Sequence, residues 1–315
     1  MKRACPSRPS LLLLLFTIVL LASCAAPLKI GASVDPLALL EGGSLAYARL
    51  SGDAARELAP SLFPATELAS LKPLLARTRV IALGMGSAPP AGGAGVPFAP
   101  TQALQATAFQ AALVGDYPFR TASLSFGASP DWKREKSDYY NAKLGLRATV
   151  PGPSLLLASS GPIEGLLAAA RAPGPSPIPQ ELSALASREL LLWAPEPFGG
   201  IAAAMLGESM EVPARGLLIA ASPMAGDAGY YDAAIVFVMD DANALRIYKS
   251  ALKLAWYGMA RALFGDEAES ALSLPFSAEG NLYMITGLRL SRESLGGVIA
   301  ALASGFGGGP RVLAR

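Results

Sequence analysis

The N-terminal segment places the strongest constraint on how this chain can fold. Lys2, Arg3 and Arg8 precede an apolar run from Leu11 to Ala22, which is the arrangement of a secretory signal. The run of about 12 residues is too short for a hydrocarbon core that needs roughly 20, so we expect removal of residues 1–23. No later apolar run approaches the length of a membrane span. The sequence therefore predicts a globular body beginning at Cys24.

Four residues at the end of that segment, Leu21-Ala22-Ser23-Cys24, match the bacterial lipobox and predict acylation of Cys24, as by palmitate. The alternative is an ordinary signal peptide followed by a chance cysteine. Two or three acyl chains anchor a protein almost permanently, whereas one chain is marginal. Because Cys5 lies in the removed segment, the mature chain has no free thiol and no disulfide.

Composition excludes several classes of protein. The chain has no histidine, which removes Ser-His-Asp and Cys-His catalysis and most zinc and haem sites. Three of its 26 basic residues lie in the removed segment, which has no acid, so 23 basic residues face 24 acidic ones in the mature chain. That balance argues against nucleic-acid binding. Ser250 and Lys253 have the S-x-x-K spacing, but the S-D-N and K-T-G partners are missing. We predict no enzyme, no catalytic or metal-binding residues and no cofactor.

Pro- and Gly-rich stretches divide the chain. Segment 84–100 is predicted to be a loop and 172–179 a linker. The predicted units are the signal peptide (1–23), a lipidated tether (24–43), a first α/β half (44–171), the linker (172–179), a second α/β half (180–304) and a Gly-rich tail (305–315).

Periodicity predicts a similar succession of strands and helices in both halves, which indicates an internal duplication. In the first half the predicted strands are 44–50, 79–83, 109–114, 140–150 and 154–159, and the helices are 54–63, 66–76 and 162–171. In the second half the predicted strands are 189–194, 216–221, 231–239, 271–276 and 282–290, and the helices are 199–206, 242–264 and 292–304. The turn Pro223 to Gly229 joins two of these strands as a hairpin. The predicted class is α+β, an α/β/α-like body of mainly antiparallel sheet flanked by amphipathic helices.

The predicted helix 242–264 has more apolar surface than one sheet can cover. At 100° per residue, Arg246, Lys249, Lys253 and Arg261 fall in a polar stripe about 120° wide that also holds Tyr257. The remaining arc of about 240° includes Ile247, Tyr248, Leu254 and Trp256. Such a helix is either sandwiched in the core or can lie in a bilayer interface, where aromatic side chains reach headgroup depth.

Two further helices, 199–206 and 292–304, have little polar cover. Several such helices could instead enclose an apolar cavity for an acyl chain. The residues predicted to contact the membrane are Arg246, Lys249, Lys253, Trp256, Tyr257, Arg261, Ile201, Met205, Leu295 and Ile299.

Several segments resemble the treponemal concealed outer-membrane lipoprotein family of spirochaetes. They are 32–37, 109–118, 129–132 with 139–140, 151–154 and 290–304. The resemblance implies an α/β/α body anchored by its lipid to the periplasmic leaflet of the outer membrane. It also implies amphipathic helices beside a hydrophobic cavity that insert into the leaflet and raise membrane permeability.

We therefore expect a lipid-anchored envelope protein that inserts amphipathic helices into the outer-membrane leaflet. Its expected partner is membrane lipid, through the covalent anchor and an acyl chain held in the cavity. The alternative is a periplasmic interaction or assembly scaffold that uses the same apolar surface for a protein partner, whose identity the sequence does not give.

Overall fold

The computed structural model describes residues 28, 34–62, 65–87, 109–117, 126, 130–135, 138–142, 145–197, 212–264 and 268–305. Within these residues the chain forms twelve β-strands and six α-helices. The strands are β1 (Ser44–Ser51), β2 (Thr78–Ser87), β3 (Phe109–Gly115), β4 (Trp132–Glu135), β5 (Asp138–Asn141), β6 (Leu146–Gly152), β7 (Leu155–Ser159), β8 (Leu190–Pro195), β9 (Ala214–Pro223), β10 (Tyr230–Met239), β11 (Phe276–Glu279) and β12 (Leu282–Ser291). The helices are α1 (Gly52–Leu62), α2 (Ala65–Arg77), α3 (Glu164–Arg171), α4 (Ala242–Phe264), α5 (Ala268–Ser273) and α6 (Arg292–Gly305).

All twelve strands belong to one antiparallel sheet, so the α+β class and the mainly antiparallel sheet are confirmed. The strand order is β11-β12-β10-β9-β8-β1-β2-β3-β7-β6-β5-β4. The two predicted halves meet where β1 pairs with β8, with Tyr47 opposite Trp193 and Leu50 opposite Leu190. In segment 172–179, Ile178 is buried in the core that contains α3. The division of the chain into two halves joined by this segment stays a prediction.

The first five strands outward from the centre follow corresponding orders on the two sides of the sheet. One side reads β1, β2, β3, β7, β6 and continues with β5 and β4, and the other reads β8, β9, β10, β12, β11. In both halves the strand in fourth position leads into a helix, α3 or α6. This order is what a duplicated unit would give, and the duplication itself stays a prediction.

Both faces of the sheet are covered because side chains alternate across each strand. Ala46, Ala48 and Leu50 of β1 point into a core shared with α1, α2, α4, α5 and α6, while Tyr47 points into a core shared with α3. β10 is buried on both sides from Ala233 to Met239, as its almost continuously apolar sequence predicts, with Phe237 in the first core and Val238 in the second.

Several predicted boundaries are wrong for local reasons. The predicted strand 271–276 is helix α5 as far as Ser273, and strand β11 starts only at Phe276, after Pro275. A short apolar run cannot distinguish the two states by periodicity. The predicted strand 140–150 is two strands, broken by Gly145 at a positive φ of 61°. β2 continues to Ser87, into the predicted loop. Helix 199–206 lies outside the described residues.

Candidate functional site

Helix α4 has the predicted bounds, Ala242–Phe264. It begins after Asp241, whose carboxylate accepts a hydrogen bond from the backbone N–H of Ala244 at 2.7 Å. An acidic cap satisfies one of the free N–H groups of the first turn. The helix packs on α5, α6, β10 and β12.

The buried face of α4 contains the residue that the sequence places at a membrane surface. Trp256 has 0% of its surface exposed, and its ring centroid lies 5.6 Å from that of Phe264. Leu252 is equally buried. In this conformation the Trp256 side chain fills the core between helix and sheet. Its contact with a membrane stays a prediction, and it requires α4 to leave the sheet.

One polar atom in this core has no partner among the described residues. The indole Nε1 of Trp256 is buried and forms no hydrogen bond. A buried donor without a partner costs about 1–3 kcal/mol. The unpaired indole N–H therefore offsets part of the stabilisation that α4 gains by packing its apolar side chains on the sheet.

The outer face of α4 exposes large apolar side chains. Ile247 is 62% exposed and Leu254 is 70% exposed. They lie seven residues apart, which places them within about 20° of each other around the helix. The small residues Ala251 and Gly258 lie on the same side. Two large side chains of the wide apolar arc predicted for this helix therefore face outward.

Four exposed cations lie in a stripe beside this apolar row. Arg261 is within about 40° of the row around the helix, Arg246 and Lys253 are about 80–120° from it, and Lys249 is the farthest at about 140–160°. Residues 242–264 contain no acid. Within the described part of the chain, none of the four forms an ion pair with a carboxylate. We call Ile247, Leu254 and these four cations the α4 surface.

The other predicted contact residues are distributed differently. Tyr257 is half-buried, and the ammonium of Lys253 lies 5.6 Å from the centroid of its ring. Leu295 of α6 is 0% exposed, whereas Ile299 is half-buried. Their membrane contacts stay predictions. Ile201, Met205 and the predicted lipidation site Cys24 lie outside the described residues.

A polar cluster that sequence analysis missed joins α6 to α1 and β10. Glu57 of α1 accepts hydrogen bonds from the Tyr231 hydroxyl at 2.8 Å and from Nη2 of Arg292 at 2.5 Å. Burial raises the pKa of Glu57, but these two hydrogen bonds and the charge of Arg292 outweigh it, so the pKa lies below its usual value. Burial, followed by the bond to Glu57, raises the pKa of Tyr231. The cluster joins α1, β10 and the first residue of α6.

The Glu57 cluster predicts a loss of stability in acid. Since the folded state binds the Glu57 proton more weakly, this stabilisation is present above the unfolded pKa and is lost as pH falls through the folded pKa. We expect Glu57→Gln to lower the free energy of unfolding at pH 6 by about 1 kcal/mol and to flatten its decline toward pH 3.5. Urea unfolding at both pH values measures this. The exposed Glu279→Gln is the control, and equal pH slopes for parent and Glu57→Gln would contradict the assignment.

Two cavities among the described residues differ in size and lining. An apolar void between β1, β8 and β9 has a volume of about 20 Å³ and is lined by Tyr47, Trp193 and Leu217 among others. That is room for about one water molecule, so no acyl chain fits. A larger open groove of about 540 Å³ has mixed lining, with Asp35, Ile178 and Arg215. The acyl-chain cavity between the helices stays a prediction.

None of the described helices combines the length and apolarity that a bilayer crossing requires. The described residues also contain no cluster of three or more acidic side chains able to hold a metal ion.

Comparison with known proteins finds similarity at the level of structure. No family model matches the chain, and no curated protein matches it. Crystal form I of the treponemal protein TP0453 superposes with a TM-score of 0.60 at 16% identity, covering 87% of this chain and 100% of that chain. Crystal form III gives a TM-score of 0.59 at 15% identity, covering 86% and 100%. At this identity the likeness shows the fold, and the chain shares that fold with TP0453 over the whole length of the TP0453 chain.

Proposed function

We propose that this chain is a lipid-anchored envelope protein, and not an enzyme, that binds the surface of an anionic leaflet through the α4 surface. The observation that carries the proposal is the exposure of Ile247 and Leu254 beside four cations that no described carboxylate neutralises. Apolar side chains gain by entering the headgroup and acyl boundary, and each nearby cation gains from anionic lipid. A protein partner would have to supply acids around an apolar centre to match this surface.

The anchor completes the proposed attachment. Acylation of Cys24 would hold the body at the membrane, and the resemblance to the spirochaetal family favours the periplasmic leaflet of the outer membrane. Mass spectrometry of the mature protein tests acylation, with Cys24→Ser as the unacylated control. A second apolar contact is needed for lasting attachment only if a single chain is present.

Insertion is a second step in this proposal and needs α4 to move. Surface binding uses side chains that are already exposed, whereas Trp256 and Leu295 reach lipid only after their helices leave the sheet. Separation of α4 from the sheet would also open the core between the helices and the sheet. Leaflet permeability and acyl-chain binding belong to this second step.

Removing the apolar row tests the first step. With the chain starting at Ala25, so that no lipid anchor contributes, we expect Ile247→Ser with Leu254→Ser to weaken binding to anionic vesicles by about 2–3 kcal/mol, roughly fiftyfold. Sedimentation with vesicles measures binding, and release of an enclosed self-quenched dye measures permeability. The expected result is a loss of both.

Leu45→Ser is the matched control, since Leu45 is also an exposed apolar residue but lies on β1. It should leave both readouts unchanged. A parent chain that binds no anionic vesicle would overturn the proposal and leave the α4 surface to a scaffold role with a protein partner.

A further inference from the structure

Leu28, which follows the predicted lipid site closely along the chain, is bound to the sheet. The backbone N–H of Leu28 donates a hydrogen bond to the carbonyl of Pro151, at the end of β6, at 3.0 Å. The Leu28 side chain is half-buried against the core that contains α3. Leu28 is only four residues beyond Cys24.

Gly152 makes this contact possible. A Cβ atom at Gly152 would lie 1.9 Å from the carbonyl oxygen of Leu28 and 3.0 Å from its nitrogen. Contacts this short with backbone atoms cannot be relieved by rotating a side chain, so any other residue at 152 would displace Leu28. The glycine thus leaves a place on β6 that the main chain of Leu28 occupies.

The contact shortens the link between lipid and body. Four residues span at most about 14 Å however they are arranged, and the ten residues from Cys24 to Val34 span at most about 36 Å. With Leu28 docked, the lipidated end stays within about 14 Å of the end of β6. Without this contact, the reach of the lipidated end is counted from Val34, the next described residue, and is about 36 Å.

We propose that Pro151 and Gly152 form a docking site for the chain's own N-terminal leash, which is the segment from Cys24 to Leu28. Docking of Leu28 keeps the β6 end of the sheet against the leaflet that holds the lipid. This inference rests on the acylation of Cys24 proposed above. Because effective concentration falls with about the 3/2 power of linker length, lengthening the free leash from four to ten residues lowers the local concentration of the body at the leaflet about fourfold.

The docking site also lies far from the α4 surface. Across the sheet, β6 is seven strand spacings from β10, or at most about 34 Å. The anchor and the α4 surface therefore reach one leaflet together only when the width of the sheet lies along the membrane.

Hydrogen exchange tests the contact in the chain starting at Ala25. We expect the Leu28 amide to exchange at least about tenfold more slowly than in a free peptide. Gly152→Val should abolish this protection by displacing Leu28. Leu28→Pro removes the donor without changing β6, so it breaks the contact in a variant whose sheet is intact. Pro151→Ala keeps the accepting carbonyl and serves as the matched control, with protection of Leu28 retained.

The acylated full-length protein in anionic vesicles tests the consequence. Because acylation leaves the mature chain without a free thiol, Asp116→Cys gives a single labelling site. Asp116 lies beside the β6 end, since its neighbour Tyr117 donates a backbone hydrogen bond to the carbonyl of Pro153 at 2.7 Å. Energy transfer from this label to a headgroup acceptor should fall in Gly152→Val and in Leu28→Pro and stay at the parent level in Pro151→Ala. Unchanged transfer in both variants, or a parent Leu28 amide that exchanges at the free-peptide rate, would overturn the docking site. An unacylated Cys24 would instead overturn the proposed anchoring, and with it the leash role, while Leu28 stays protected.

Discussion

Replacing Trp256 by alanine is expected to lower the free energy of unfolding by about 3 kcal/mol. Truncating a buried tryptophan costs about 3–5 kcal/mol because packing is lost and a cavity remains. Loss of the unpaired indole N–H returns part of that cost, which places the expected value at the low end. Chemical denaturation of the chain starting at Ala25 measures it.

Leu254→Ala is the matched control for this prediction, because Leu254 is on the same helix and 70% exposed. It should change stability by no more than about 0.5 kcal/mol. In vesicle binding the expected order is reversed. Leu254→Ala should weaken binding to the vesicle surface, and Trp256→Ala should not, because Trp256 is not needed for surface binding. A Trp256→Ala protein as stable as the parent would contradict the buried position of this side chain.

Reversing the four cations of the α4 surface is expected to weaken binding to anionic vesicles by about 4 kcal/mol or more, on the order of a thousandfold. The substitutions are Arg246→Glu, Lys249→Glu, Lys253→Glu and Arg261→Glu. Each cation contributes about 1 kcal/mol near anionic lipid, and the new carboxylates add repulsion. Binding of the parent should also weaken as ionic strength rises, since salt screens exposed charges.

The same change in net charge can be made elsewhere on the molecule. Four exposed cations outside α4, Lys72, Arg77, Arg79 and Arg171, can be changed to glutamate together. This control should lose far less affinity if position matters as well as charge. Equal losses in the two variants would show that the protein binds anionic lipid through its overall charge, and would remove α4 from the contact.

The parts of the fold that depend on local periodicity could be predicted from the sequence. The bounds of α4 and the β9–β10 hairpin agree with the structure because a helical or alternating pattern is complete within each segment. The pairing of β1 with β8 could not be predicted, since it joins residues about 140 positions apart and leaves no local pattern. The cluster of Glu57, Tyr231 and Arg292 was missed for the same reason.

The candidate site was predicted in part. Periodicity gave the stripe of cations and an apolar arc too wide for one sheet, and the exposure of Ile247 and Leu254 agrees with that excess. Periodicity did not say which part of the arc faces the sheet. The structure places Trp256 inward, where it packs on Phe264, because the position of α5 and α6 decides which side of α4 is covered.

The central pairing of β1 with β8 also imposes an order on how the molecule can assemble. β1 ends at Ser51, but its second partner begins only at Leu190. Until that strand is available, the middle of the future sheet has an open edge of unpaired backbone groups beside apolar side chains, which is the kind of edge that recruits other chains. Pairing across so long a stretch of chain is slow. A polypeptide that stops before Leu190 should therefore aggregate, and the chain depends on completing its second half before its centre can close.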